Sequence, residues 1–244
     1  KANLLKVIAR AGVGLDNIDI DEAKKRKIKY FNIPSQSSTS VAEFAFGLLL
    51  STARKIISAD NQLRKNFWNK KKLYGFEISN KNLGIVGLGD IGLKIAKIGK
   101  KFKMNITAHV KNHNNKRKKK LFKQNIFLSS LNNLLKKSDF IIIVVPLYNQ
   151  TKNLINSKNL RLLKKNSILI NISRGGIVNE AHLYKALVKK KFFAAATDVF
   201  GQEKKYNKLF KLDNIVVTPH IGAMTYEAQK RIAEVLEKKL LAII

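Results

Sequence analysis

The 244-residue sequence predicts an α/β fold built on a parallel sheet, on the strength of three observations. Short apolar runs alternate with amphipathic stretches, as strand–helix units do. A Gly-x-Gly-x-x-Gly pattern, Gly87-Leu-Gly89-Asp90-Ile91-Gly92, stands where one apolar run gives way to the next amphipathic stretch. Three polar signatures, Asn171-Ile-Ser-Arg174-Gly-Gly, Asp198-Val-Phe-Gly-Gln-Glu203 and Thr218-Pro-His220, each follow an apolar run at 167–170, 192–196 and 215–217. In an open parallel sheet all such strand ends share the edge where ligands bind.

Taken in order, residues 5–9 predict a strand, 21–27 a short helix and 29–32 a second strand. A polar, Ser-rich loop at 34–39 precedes Ser40-Val-Ala-Glu43, which has the spacing of a capping box. The apolar pattern over 41–63 predicts the longest helix, with Trp68 and Tyr74 in the connector after it. A strand at 82–86, a helix at 91–102 and a strand at 106–110 surround the glycine pattern, and 111–120 reads as a Lys/Asn loop. Residues 130–136 predict a helix, and 140–145 a fully buried strand ended by Pro146. Helix 157–163, strand 167–170, helix 179–189, strands 193–196 and 215–217, and helix 225–241 complete the chain, which has no internal repeat.

Composition excludes several function classes. Hydrophobic residues make up 45% of the chain, enough for a substantial core. With no cysteine there is no disulfide, no thiolate metal site and no Cys nucleophile, and a reducing cytoplasm is the expected setting. The apolar runs at 140–147 and 44–50 are far short of the roughly 18–20 residues a membrane span needs, so no membrane partner is expected. No signal peptide is visible, and the opening on Lys1 in mid-pattern predicts a chain incomplete at its N-terminus. The formal net charge is +32. That excess is almost all lysine, scattered over every element, whereas a nucleic-acid site concentrates arginine and aromatics on one face. A nucleic-acid partner is therefore not expected, although the field would draw anionic substrates.

The glycine pattern follows a predicted strand and opens a predicted helix, the context in which it binds a dinucleotide. Its first two glycines permit a tight turn and close backbone approach, so that the helix N-terminus meets a pyrophosphate. The acid that pairs with the ribose 2′-hydroxyl in NAD sites, about twenty residues further on, is absent. The strand end there reads Ala108-His109-Val110-Lys111, with Val110 at the acid's place. Lys111 and Arg117 could accept a 2′-phosphate instead, or could simply be solvated, so NAD and NADP both stay open. At the other strand ends stand an arginine to hold a carboxylate, a histidine to move a proton and a glutamate to steady the histidine. Together they form a working set for redox chemistry on a hydroxy acid. His109, His113 and His182 have no motif around them and read as surface residues, and no metal site is predicted.

With these pieces placed, residues 7–237 resemble the D-isomer-specific 2-hydroxyacid dehydrogenases, most of all members acting on 3-phosphoglycerate. The resemblance runs through Arg10-Ala-Gly-Val-Gly-Leu-Asp-Asn-Ile-Asp19, Val41-Ala-Glu43, the glycine loop, and Val145-Pro-Leu147 with Thr151. It continues in the three polar signatures and in Ile221-Gly-Ala223 leading to Glu227-Ala-Gln229. It implies a Rossmann-type doubly wound sheet at 36–220 and part of a flavodoxin-like substrate domain at 1–35, to which a helix at 221–244 returns. It also implies that Arg174, Glu203 and His220 match the family's catalytic set, Arg174 gripping the substrate carboxylate and Glu203 orienting the proton-carrying His220. Cofactor contacts are implied at Gly87, Gly89, Asp90, Ile91, Gly92, Val110, Val145, Pro146, Thr151, Ile172, Asp198 and His220. Substrate contacts are implied at Arg10, Gly12, Val13, Gly14 and Arg174. The expected reaction is oxidation of 3-phosphoglycerate to 3-phosphohydroxypyruvate with NAD, at the entry to serine synthesis, by a homodimer. The alternatives are an NADPH-dependent glyoxylate or hydroxypyruvate reductase and a non-catalytic dinucleotide-sensing module. Pro is usual after the family's Glu, and Lys204 stands there in this sequence.

Overall fold

The structure, a computed structural model, describes residues 4–15, 17–111 and 114–243. The elements begin with β1 (Val7–Arg10), α1 (Ile20–Lys25), β2 (Lys29–Asn32), α2 (Ser38–Ala53) and α3 (Ile56–Arg64). They continue with β3 (Asn82–Val86), α4 (Asp90–Lys101), β4 (Asn105–His109), α5 (Asn115–Lys123), β5 (Ile126–Leu128), α6 (Leu131–Lys137) and β6 (Phe140–Ile143). The last are α7 (Ser157–Leu160), β7 (Ile168–Asn171), α8 (Glu180–Val188), β8 (Ala194–Thr197), β9 (Ile215–Val217) and α9 (Tyr226–Leu241). The chain divides into two units, Lys1–Val41 with Ala223–Ile244, and Ala42–Gly222.

In the smaller unit β1 and β2 pair in parallel, Val7 opposite Lys29. Asp19 caps α1 by accepting from the Glu22 N–H, and the acids of the first turn and lysines of the last suit the helix dipole. The C-terminal helix α9 starts under a Thr225 cap and anchors to the segment after β2. There Arg231 donates from Nε and Nη2 to the Gln36 carbonyl at 3.0 and 2.9 Å.

In the larger unit a seven-stranded sheet runs in the order β5-β4-β3-β6-β7-β8-β9, and every pair is parallel. The predicted parallel α/β sheet of Rossmann type is what the structure contains. Strands β6, β7 and β8 are buried along their whole length because crossover helices cover both faces. Side chains of Leu134, Leu135, Ile141, Leu169, Leu183 and Phe192 form the core on one of those faces. The chain leaves β3 towards β4 on one side and returns to β6 on the other. The crevice over that reversal is the switch point where a doubly wound sheet takes its ligand.

Three expectations are corrected. The predicted 41–63 helix is two helices, because Lys55 takes a left-handed conformation (φ 52°) and the returning connector intervenes. The Phe76 N–H bonds the Ala53 carbonyl at 2.9 Å, so that oxygen pairs outside the helix. Ser40 and Glu43 do not form the capping box, since α2 already starts at Ser38 and Ser40 lies inside its first turn. The 111–120 stretch is no plain loop: Asn114 caps α5 by accepting from the Arg117 N–H, and buried Leu121 anchors the helix while its lysines face water. The short edge strand β5, which sequence reasoning missed, follows α5 and pairs with β4.

Candidate active site

The glycine loop closes β3 and opens α4. Gly87 adopts φ +100°, and a Cβ there would run into the Val144 carbonyl on the neighbouring strand end. Gly92 lies so close to the Gly87 carbonyl that only a hydrogen fits. Gly89, by contrast, has open space where its Cβ would be, and it caps α4 without a side-chain hydrogen bond. Asp90 and Ile91 form the first turn of α4. A helix N-terminus with bare backbone at its cap is suited to a pyrophosphate, so these residues fit the dinucleotide that the motif implied.

Across the switch point, Val145 and Pro146 leave β6, and Thr151 staples their turn by donating from Oγ1 to the Pro146 carbonyl at 2.7 Å. Val110 stands just past β4, half-buried, and Lys111 is exposed. The Arg117 guanidinium reaches back to the glycine loop and donates from Nη2 to the Leu88 carbonyl at 2.8 Å. No Asp or Glu occurs in sequence between Asp90 and Asp139, so neither β4 nor α5 supplies a carboxylate here.

Arg174 leaves the turn after β7. The Asn171 Oδ1 accepts from the N–H and the hydroxyl of Ser173, its Nδ2 donates to the Arg174 carbonyl, and Ile172 is buried beneath. The Arg174 Nη1 donates to the Ser173 carbonyl at 2.8 Å. Glu203 lies in the loop after β8, and His220 lies beyond β9. Their side chains meet at 2.6 Å, His220 Nδ1 to Glu203 Oε1. A carboxylate only accepts, so this contact places the ring proton on Nδ1 and turns Nε2 away from Glu203. Because β7, β8 and β9 are adjacent and parallel, the turns bearing Arg174 and His220 leave the same sheet edge. Two strand spacings put those turns roughly 10 Å apart at the backbone.

His220 itself sits at φ +60°, a left-handed conformation unusual outside glycine. Buried Asp198 holds that turn, accepting from Thr218 Oγ1 at 2.6 Å and the Ile221 N–H at 2.9 Å on one oxygen, and from the Gly222 N–H at 3.0 Å on the other. The carboxylate expected beside the cofactor thus binds the histidine's own turn.

In the smaller unit, Arg10 ends β1 and its guanidinium lies over Gly12. The loop bearing Gly12, Val13 and Gly14 is tied to the end of β2, with the Ile33 N–H on the Gly12 carbonyl and Asn32 Nδ2 on the Val13 carbonyl. Among the described residues, buried Arg10 Nε has no hydrogen-bond partner.

His109 and His182 are not free surface residues. Each is half-buried, His109 Nδ1 lying 3.1 Å from the Ser129 carbonyl and His182 Nδ1 accepting from the Ser157 N–H. His113 lies outside the described residues. Among the described residues no acid–histidine cluster could hold a metal ion, and no helix is long and apolar enough to cross a membrane. Sequence reasoning missed Glu180, and it gave Asn171 and Thr218 no role of their own although both stand in its signatures, because their bonds run to turns that only the fold brings near.

Residues 46–222 match the family described as D-isomer specific 2-hydroxyacid dehydrogenase, NAD binding domain. The chain belongs to this family and carries its NAD-binding domain. It is 41% identical to a D-3-phosphoglycerate dehydrogenase of Methanocaldococcus jannaschii over 100% of this chain and 46% of that protein. It is 44% identical to a hydroxypyruvate reductase of Thermotoga maritima over 96% of this chain and 76% of that protein. The chain thus spans less than half the length of the first relative and about three quarters of the second. Among solved structures, a D-lactate dehydrogenase of Aquifex aeolicus with NAD and lactic acid superposes with a TM-score of 0.88 at 31% identity, over 98% of this chain and 76% of that one.

Proposed function

We propose that the chain is the cofactor-binding part of a dehydrogenase that oxidises 3-phosphoglycerate to 3-phosphohydroxypyruvate. The Glu203–His220 pair at 2.6 Å, on the same sheet edge as Arg174 and the glycine loop, carries this reading. A nicotinamide dinucleotide, which Gly87, Gly89, Asp90, Ile91, Gly92, Val110, Val145, Pro146, Thr151, Ile172 and Asp198 would hold, supplies the hydride acceptor when bound. Arg174 grips the substrate carboxylate through its planar fork and fixes the reacting carbon. His220 takes the hydroxyl proton on Nε2 as C2 is oxidised, and returns it in the reverse direction. Glu203 keeps the ring in the required orientation throughout. Arg10 Nε, without a hydrogen-bond partner among the described residues and beside the Gly12–Val13–Gly14 loop, supports a role for that segment in binding the acidic substrate.

A second reading, an NADPH-dependent glyoxylate or hydroxypyruvate reductase, is favoured by the absence of acids from residues 91–138 and by Arg117 lodged against the glycine loop. The test supplies full-length protein with 3-phosphoglycerate, or in reverse with hydroxypyruvate or glyoxylate, and each dinucleotide, and follows nicotinamide absorbance. Turnover of 3-phosphoglycerate is expected, with His220→Ala slowing kcat about 10²- to 10⁴-fold and leaving dinucleotide affinity intact. A preference for NADPH and hydroxypyruvate would select the second reading. Tight dinucleotide binding without turnover of any 2-hydroxy acid would leave a sensing module.

The homodimer is proposed on the same footing. It is supported by Ile56, Ile57 and Leu63 exposed on α3, with Phe67 and Trp68 exposed just beyond, an apolar surface of the kind a second subunit covers.

A further inference from the structure

We infer that Glu180 is a positioning residue that braces the loop carrying Glu203, and through it the orientation of His220. The inference rests on the dehydrogenase reading above. Glu180 opens α8, the helix that follows the Arg174 turn, and one carboxylate spans both ends of the loop after β8. Its Oε1 accepts from the Gly201 N–H at 2.6 Å, and its Oε2 accepts from Asn207 Nδ2 at 2.6 Å. Asn207 is committed in turn, since its Oδ1 accepts from the Leu209 N–H and caps the short 3-10 turn at Lys208–Lys211.

Between those two anchors residues 202–206 are all exposed, and Lys204 adopts a left-handed φ of 63°. Packing therefore does little to define this loop. A recess of about 330 Å3, lined in part by Asn179, Glu180, Gln202, Tyr206 and Asn207, opens behind it. An exposed loop of this length samples many conformers unless its ends are fixed, and losing the 2.6 Å contact to His220 needs only a shift of about 1 Å. Short hydrogen bonds to an ionised carboxylate are the strong kind, and here two of them act on opposite ends of one segment. Gly175, next to Arg174, packs so tightly on the Phe200 carbonyl that a Cβ could not be accommodated. The brace and this contact thus join the arginine's turn to the glutamate's.

The test uses the full-length protein and four variants. Glu180→Gln keeps an acceptor for Gly201 but sets an amide N–H₂ against the Asn207 N–H₂. Asn207→Asp in the Glu180→Gln background restores that bond with donor and acceptor exchanged, while still capping Leu209. Hydrogen exchange is expected to rise about 10-fold across 201–207 in the single variant and to return within about 3-fold of wild type in the double variant. The long-range ¹H–¹⁵N spectrum of the His220 ring should change in the single variant and recover with the swap. Turnover should fall about 10-fold in kcat, with the KM for dinucleotide within twofold. In a Glu203→Gln background the same Glu180 substitution should change kcat less than twofold, because its effect runs through Glu203.

Unchanged exchange and an unchanged ring spectrum in Glu180→Gln would overturn the inference. So would a kcat loss that multiplies in full with that of Glu203→Gln. If the wild-type protein turns over no 2-hydroxy acid, the functional reading fails, while the exchange and ring measurements still decide the brace.

Discussion

Asp198 shows how one buried side chain can set the conformation of its neighbours. The φ of +60° at His220 costs of order 1 kcal/mol or more, and three hydrogen bonds to Asp198 hold the turn around it. Replacing Asp198 by Asn keeps the volume but turns one oxygen into a donor facing a backbone N–H. The expected result is a loss of about 2–3 kcal/mol in urea denaturation and a fall in kcat exceeding the fall in dinucleotide affinity. Equal stability and kcat in Asp198→Asn would show that the turn holds without the carboxylate. Glu203, Arg174 and His220 were legible in the sequence because each belongs to a motif behind an apolar run. Asp198 was legible too, but its partners were not, since Thr218, Ile221 and Gly222 meet it only once β8 and β9 are side by side.

Among the elements, helix ends carry the clearest consequences of a lysine-rich composition. Helix α8 ends with Lys190 at φ 48°, its N–H on the Leu187 carbonyl and the Lys191 N–H on the Ala186 carbonyl, the two bonds of a Schellman motif. Glycine is the residue that adopts this conformation without strain, so Lys190→Gly should stabilise the protein by about 0.5–1 kcal/mol, read as a higher denaturation midpoint at unchanged m-value. At the opposite edge of the sheet, Asp139 joins the starts of strands, accepting from the Asn82 N–H and from Lys164 Nζ at 2.8 Å. Burial alone would raise this carboxyl, but the bonds from Lys164 and Asn82 and the charges of Lys164 and Lys81 bring it below its ordinary value. A carboxyl depressed in the folded state contributes stability above its unfolded pKa of about 3.9, and that stability is lost as pH falls through the folded value. Lys164→Met should therefore cost less than about 1 kcal/mol near neutrality, since solvent screens this partly exposed pair, and the cost should shrink as pH falls through the folded value. A stability difference that persists in acid would show that Lys164 acts by packing rather than by charge.

For the molecule as a whole, the +32 charge acts on encounter rather than on fold. Its lysines are spread over every element instead of forming one arginine-rich face, which suits a diffuse field for small anions. Raising ionic strength from about 20 to 200 mM shortens the Debye length from roughly 20 to 7 Å, so kcat/KM for a phosphorylated acid should fall several-fold while kcat holds. For unphosphorylated glycerate, which lacks the phosphate charge, the salt effect should be smaller. A salt-independent kcat/KM would assign the charge to solvation alone.

The sequence by itself determined the parallel α/β class, the glycine loop with its helix, the strand-end locations of Arg174, Asp198 and His220, and the resemblance that names the family. These are local: each depends on a run of side chains with a period, or on glycine where backbone must approach backbone. What tertiary structure alone decided are the break between α2 and α3, where Phe76 takes the carbonyl of Ala53, and the contacts made between loops. The Glu203–His220 pair spans 17 residues, the Glu180–Gly201 bond 21, and the Asp198–Gly222 bond 24. No periodicity reports such pairings, because their partners are set by which strands lie adjacent in the sheet.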